Sequence, residues 1–193
     1  MKRKQIPTSG LDFNLMLGLT ERLKADNHLR DYLLIIMGCY FGLRISDLLS
    51  LKWEHVFEKH ELLIQEKKTK KLRRITINPK VHQAIQAHVL NLKQQDNYSV
   101  DKFIFANRTG SKISVSYINK RLKFIFAKYN VAVKNPSSHT LRKTFGKRIY
   151  EADNKSERAL VYLSEIFSHS SISITRKYIG ITQEQISDMY LSL

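Results

Sequence analysis

The sequence predicts a mainly α chain with one small antiparallel β-sheet, the α+β class. Three observations carry that expectation. Apolar residues recur at helical spacing through most of the chain, two short β-type runs flank a single cationic turn, and punctuating residues are scarce. There are seven Gly and three Pro in 193 residues, with no internal repeat, low-complexity tract or Gly/Ser-rich linker. A chain of this length can enclose one well-buried core. Residues 1–193 are therefore expected to form a single domain, with about the first ten residues as a tail or linker.

Each element has its own signal. The first helix is expected over 11–23 (LDFNLMLGLTERL), where apolar positions keep roughly helical spacing. After the polar break KADN at 24–27, a more apolar segment runs to Phe41, and Gly42 ends it. The helical pattern resumes over 44–53 (RISDLLSLKW), with Ile45, Leu48, Leu49 and Trp53 on one face. ELLIQ at 61–65 and ITI at 75–77 flank KKTKKLRR, which reads as a hairpin with a cationic tip. Pro79 suits the first turn of a helix reaching about Leu92. FIF at 103–105 reads as a short buried piece before the RTGS turn. Helical patterns then cover 115–129, 138–150, 158–167 and a short stretch around Ile174. TQEQ at 182–185 is a capping box that opens a terminal helix running nearly to Leu193.

Composition narrows the function. Thirty-three Lys and Arg against 17 Asp and Glu give a formal charge of +16. A compact domain with that charge repels itself unless a polyanion accompanies it. Nucleic acid is the expected partner, because each phosphate neutralised releases condensed counterions. A ribosomal-type protein or a solvated basic surface is the alternative at this level. Cys39 is the single cysteine, which excludes an internal disulfide framework and argues against a thiolate zinc site. It lies in YLLIIMGCYF at 32–41, a run too short to span a bilayer, and reads as core. MKRKQIP carries positive charge but no apolar segment of signal-peptide length follows it. The expectation is an intracellular protein with no membrane partner.

Four patches are rich in phosphate-handling chemistry: GLRISDLLSL at 42–51, KKTKK at 67–71, HTLR at 139–142 and SHSSISITRKY at 168–178. A lone His-x-x-Arg carries no signal. In this order, with the arginine motif after an apolar helix and nine residues from His169 to Tyr178, the set resembles the tyrosine recombinases, the phage-integrase family. The resemblance runs from about Leu11 to the C-terminus. It implies the catalytic-domain fold of that family and a site-specific recombinase that cuts and rejoins DNA through a covalent 3′-phosphotyrosyl intermediate. A type IB topoisomerase or a non-cutting DNA-binding regulator on the same scaffold are the alternatives.

The chemistry agrees residue by residue. Transesterification of a DNA strand needs an oxygen nucleophile, cations on the non-bridging oxygens and an acid for the leaving oxygen. Arg44 and Arg142 match the family's arginine pair, and a guanidinium fork suits two phosphate oxygens at once. Tyr178 matches the nucleophile. A phenol of ordinary pKa near about 10 is a poor one at neutral pH, and nearby cations are expected to lower it. His139 matches the proton acceptor and His169 a ligand of a non-bridging oxygen. The leaving-group lysine is matched best by Lys68 beside Thr69, with Lys70 the alternative, since a slip of one residue turns a side chain to the other face. Lys67, Lys70, Lys71 and Lys143 are expected to bind DNA. His28, His55, His60, His82 and His88 match nothing.

Two positions depart from the pattern: Ser168 stands where the family usually has Gly, and Lys143 where many members have His. The resemblance further implies no metal or other cofactor, double-stranded DNA as partner, a homo-oligomer (a tetramer) on that DNA, and accessory DNA-bending proteins. It implies a terminal helix over 182–193 that docks on a neighbouring subunit, and a cytoplasmic, nucleoid-associated protein of a bacterium, phage or mobile element. The N-terminal core-binding domain of most members is expected to be absent, since only about ten residues precede the first helix. The helices over 115–129 and 138–150 are basic enough to be candidates for base readout.

Overall fold

A computed structural model describes residues 7–181. Eight α-helices and one two-stranded sheet follow in the order α1 (Phe13–Ala25), α2 (Leu29–Phe41), α3 (Ile45–Leu48), β1 (Glu61–Gln65), β2 (Leu72–Thr76), α4 (Pro79–Gln94), α5 (Val115–Lys128), α6 (Ser138–Ala152), α7 (Glu157–Phe167) and α8 (Ile172–Ile179), all within the described residues. The expected terminal helix over 182–193 lies outside them.

The most apolar segment became the centre. Along α2 every residue from Asp31 to Cys39 is buried, and α1, α4 and α6 pack around it. Asp31 is tolerated there because Arg121 of α5 holds its carboxylate, with Nε at 3.1 and 3.0 Å from the two oxygens. The α2–α6 crossing is close: a Cβ on Gly38 would stand 2.6 Å from Leu141 Cδ1. Cys39 is buried and burial pushes its thiol pKa up, as expected of a core residue.

Caps set most boundaries. Asp12, Asn78, Ser114, Ser156 and Ser171 each accept from a first-turn backbone N–H, and Pro79 opens α4 as expected. Gly42 ends α2 at φ +57°, a left-handed conformation that suits glycine.

Two expectations needed correction. The stretch over 44–53 is not one helix. α3 stops at Leu48, and a short 3₁₀ turn follows at Trp53–His55. Between them the backbone pairs with 102–104: Ile104 N donates to Leu51 O at 3.0 Å and Trp53 N to Lys102 O at 3.2 Å. Leu48, Leu49 and Trp53 are still buried, so their burial was legible and their helical continuity was overridden by this tertiary pairing. The second strand starts at Leu72 rather than Ile75, with Glu61 opposite Thr76 and Gln65 opposite Leu72. The hairpin tip is therefore 66–71, and Arg73 and Arg74 belong to the strand.

A second, smaller apolar cluster of Leu160, Leu163, Phe167 and Ile179 joins α7 and α8, with Phe145, Ile149 and Tyr178 packed against it. Because α6 touches both clusters, it fixes α8 relative to the end of α2.

Candidate active site

The site forms where three helical segments meet: the C-terminus of α2, the N-terminal half of α6 and the C-terminus of α7. Arg44 follows the Gly42 turn in extended conformation just before α3. His139 and Arg142 lie three residues apart on α6, on neighbouring turns of one face. Both arginines converge on one atom. Phe167 O accepts from Arg44 Nη2 at 3.1 Å and from Arg142 Nη2 at 3.2 Å. This carbonyl closes α7, where the last carbonyls have no intrahelical partner and the helix dipole favours cations. Arg142 Nη1 also donates to Gly42 O at 2.7 Å, and its guanidinium stands 4.4 Å over the Phe167 ring.

Ser168 makes that arrangement possible. It takes φ +53° and ψ +48°, the left-handed region, so the Gly-type turn forms without glycine. Ser168 N donates to Glu165 O and His169 N to Ser164 O, the paired bonds of a Schellman turn. A non-glycine residue there costs about 1–2 kcal/mol. The turn delivers His169, whose Nδ1 lies 2.9 Å from the buried Thr175 Oγ1. Thr175 and Tyr178 share one face of α8, so a single short helix carries both the partner of His169 and the tyrosine.

Tyr178 sits half-buried among rings, with centroids 5.3 Å from Phe167, 5.3 Å from His169 and 6.4 Å from His139. Its hydroxyl is 3.4 Å from His139 Nδ1, a long contact of the kind that tightens when substrate binds. Lys143 is buried, with its ammonium 2.8 Å from Thr8 O and 5.2 Å from the Tyr178 ring centre. Lys143 was expected to bind DNA, and its side chain is turned inward toward Thr8 and Tyr178.

Electrostatics sharpens the roles. Burial raises the pKa of Tyr178, and Arg142 and Arg44 oppose this without overcoming it. The expected lowering by cations is thus present as a contribution and outweighed by desolvation, so the phenol is protonated and poised to donate. His139 keeps an exposed surface, yet desolvation lowers its pKa, and the charges of Arg142 and Lys143 add to this. The ring is therefore neutral at neutral pH and able to accept. Burial likewise lowers His169, followed by Arg142 and Arg44. Burial brings Arg142 down to about 10, which leaves it charged.

The hairpin meets the site at Arg44. Glu66, at its tip, is fully buried and accepts from Arg44 Nη1 at 2.7 Å and Arg73 Nη1 at 3.2 Å. Burial alone would raise its pKa, but hydrogen bonds from Thr69 and Arg44 and the charge of Arg44 outweigh that and hold it ionised. Lys68 is exposed in the turn beside Thr69, and no hydrogen bond or ion pair joins it to the other site residues described. Lys67, Lys70 and Lys71 are exposed too, and Lys70 takes φ +58°. Lys67 N donates to Asp47 Oδ1 at 3.2 Å, tying the tip to α3.

Arg44, His139, Arg142, His169 and Tyr178 are thus brought together with Lys143, while the four hairpin lysines stand at the tip beside them. Sequence reasoning missed Glu66, Arg73, Asp47 and the Phe167 carbonyl. The available signal for Glu66 was one acid at the edge of a run of cations. A main-chain carbonyl leaves no trace in residue identity. Among the described residues no group of three or more His, Cys, Asp or Glu could hold a metal ion.

A model of the phage integrase family matches residues 11–185. The chain belongs to that family, and its class is the tyrosine-type site-specific recombinases. The probable integrase/recombinase YoeC of Bacillus subtilis (strain 168) is 35% identical over 162 residues, 83% of each chain. The tyrosine recombinase XerH of Campylobacter jejuni is 24% identical over 164 residues, which cover 83% of this chain and 44% of that protein. The chain thus spans most of the first relative and under half of the second. Among solved structures, the XerA recombinase superposes with a TM-score of 0.73 at 20% identity, over all of this chain and 65% of the other. XerH bound to a palindromic difH substrate in a post-cleavage complex gives 0.70 at 20% identity, over 94% and 52%. These likenesses establish the fold, with its mostly helical body and small two-stranded sheet.

Proposed function

We propose that residues 1–193 form one catalytic domain that cuts and rejoins double-stranded DNA through Tyr178. The observation that carries this reading is the Tyr178 hydroxyl 3.4 Å from His139 Nδ1, with Arg44 and Arg142 anchored on one carbonyl beside it. Arg44, Arg142 and His169 hold the non-bridging oxygens of the scissile phosphate. The bound phosphate orders the site, His139 takes the phenolic proton, and Tyr178 Oη forms its bond to phosphorus. The bond from phosphorus to the 5′ oxygen breaks, and Lys68 supplies the proton to that oxygen. A 5′-hydroxyl from a partner strand then attacks the phosphotyrosyl bond, restoring a phosphodiester and returning the proton to Tyr178. Each step exchanges one phosphoester for another, so no external energy source is needed.

Lys67, Lys70 and Lys71 hold backbone phosphates near the cut, and the overall +16 charge extends the footprint. Lys143 serves from inside, its ammonium beside the Tyr178 ring favouring negative charge as it develops on the oxygen. The working assembly is a tetramer on DNA, helped by DNA-bending proteins, in the bacterial cytoplasm at the nucleoid, and the chain is encoded by a bacterium, phage or mobile element.

The test starts from nicked duplexes of random sequence, captured as adducts that survive denaturant. Sequences recovered with the unmodified chain and lost with Tyr178→Phe support the reading. Recovery of equal adduct from Tyr178→Phe refutes the nucleophile, and tight binding without any adduct favours a non-cutting regulator.

A further inference from the structure

We infer that Glu66 is a positioning residue for Arg44: its buried carboxylate fixes the guanidinium for the phosphate and couples it to the hairpin tip. The inference rests on the reading of Arg44 as a phosphate ligand.

The side chain of Glu66 is 0% exposed, and both carboxylate oxygens are engaged. Oε2 accepts from Arg44 Nη1 and from Thr69 Oγ1, each at 2.7 Å, and Oε1 accepts from Arg73 Nη1 at 3.2 Å. Arg73 is itself pinned, its Nη2 donating to Phe41 O at 3.2 Å at the end of α2. The main chain of Glu66 closes the turn as well: its N–H donates to Lys71 O at 3.0 Å, and its carbonyl accepts from Lys70 N at 2.9 Å. One residue therefore joins the tip that carries Lys68, the floor under α2 and the arginine of the site.

The geometry at Arg44 separates positioning from a mere ion pair. Its guanidinium is stretched between two acceptors distant in sequence, Glu66 on the hairpin and Phe167 O at the end of α7. Two of the five donors of a guanidinium are consumed, and the rest are left for an anion. Arg44 keeps 23% of its side-chain area exposed, against 15% for Arg73. Of the two arginines held by Glu66, Arg44 is thus the more exposed. One carboxylate against two guanidiniums also leaves the cluster with a net positive charge, so Glu66 orients Arg44 without cancelling the attraction for phosphate. Desolvation offsets much of what such pairing gains, so net stabilisation alone does not account for this buried carboxylate.

The experiment uses the full chain and a duplex recovered by the covalent capture described above, made with an ordinary phosphodiester and with a 5′-bridging phosphorothiolate at the cut. Sulfur leaves without a proton, so it removes the need for the lysine acid and keeps slow variants measurable. Glu66→Gln is expected to slow single-turnover cleavage about tenfold to a hundredfold, the range for one charge-assisted hydrogen bond. Duplex affinity should change by less than about threefold, sulfur should not restore the rate, and Arg44→Ala/Glu66→Gln should be no slower than Arg44→Ala alone. A normal rate in Glu66→Gln overturns the inference, as do additive losses in the double variant. Full rescue by sulfur also overturns it, because Glu66 would then act through the lysine. If Arg44→Ala itself cleaves normally, the reading of the site fails and this inference falls with it. If Glu66→Gln does not fold, Glu66→Asp, which keeps the charge but shortens its reach, carries the same comparisons.

Discussion

Replacing Gly42 with alanine probes the junction on which the site depends. Gly42 sits at φ +57°, and a Cβ there would stand 2.4 Å from Phe145 Cδ1 and 2.7 Å from Cε1. The left-handed conformation costs a non-glycine residue about 1–2 kcal/mol. Displacing the packed Phe145 ring adds about 1–3 kcal/mol, for a total of about 2–5 kcal/mol. The damage reaches the chemistry, because Gly42 O accepts from Arg142 Nη1 at 2.7 Å, and Phe145 packs 6.0 Å from the Phe167 ring. Loss of one such charged hydrogen bond is worth about 1.5–3 kcal/mol, or about tenfold to a hundredfold in rate. Urea unfolding and single-turnover cleavage read the two effects separately. Gly110→Ala is the control: it too has positive φ (+81°), but a Cβ there meets nothing within 4 Å. It is expected to lose only about 1–2 kcal/mol and no activity. Equal destabilisation of the two variants, with cleavage intact in Gly42→Ala, would refute the argument.

Other perturbations have definite signs. Ser168→Gly relieves a left-handed serine at the end of α7 and is expected to stabilise by about 1 kcal/mol while keeping cleavage, read by urea unfolding. A loss of stability would mean that the serine side chain contributes to the turn. His139 has a lowered pKa, so its acceptor form should persist below the ordinary histidine range. Cleavage should hold at about pH 6.5 and fall only at lower pH, whereas a midpoint at or above about 6.5 would contradict its placement. His88 is buried and pushed down to about 4, so its stability contribution is complete above about pH 6.5 and lost as pH falls towards 4. The span corresponds to about 3 kcal/mol, and His88→Leu should flatten that part of the stability–pH curve. An unchanged slope would remove His88 as its source.

Much of the fold was legible because local chemistry and tertiary demand agreed. Gly42 and Pro79 marked helix ends by backbone geometry that few other residues supply, and ELLIQ gave the first strand at its observed bounds. The pattern over 44–53 misled because Leu48, Leu49 and Trp53 are buried without sharing one helix, and periodicity cannot distinguish those cases. In the site, the side chains with distinctive spacing were readable, from Arg44 to Tyr178. What escaped was what holds them: a carbonyl at Phe167, an acid hidden among lysines at Glu66, and the burial that sends Lys143 inward. The direction of the Tyr178 pKa also needed coordinates, since desolvation depends on packing that no motif records.

The most direct test of the central claim is to locate the covalent bond. The trapped protein–DNA adduct would be digested with nuclease and protease, and the modified peptide sequenced by mass spectrometry. The account predicts a nucleotide joined through its 3′-phosphate to Tyr178, with a free 5′-hydroxyl on the released strand. A bond to any other residue, or a 5′-phosphate linkage, would contradict it.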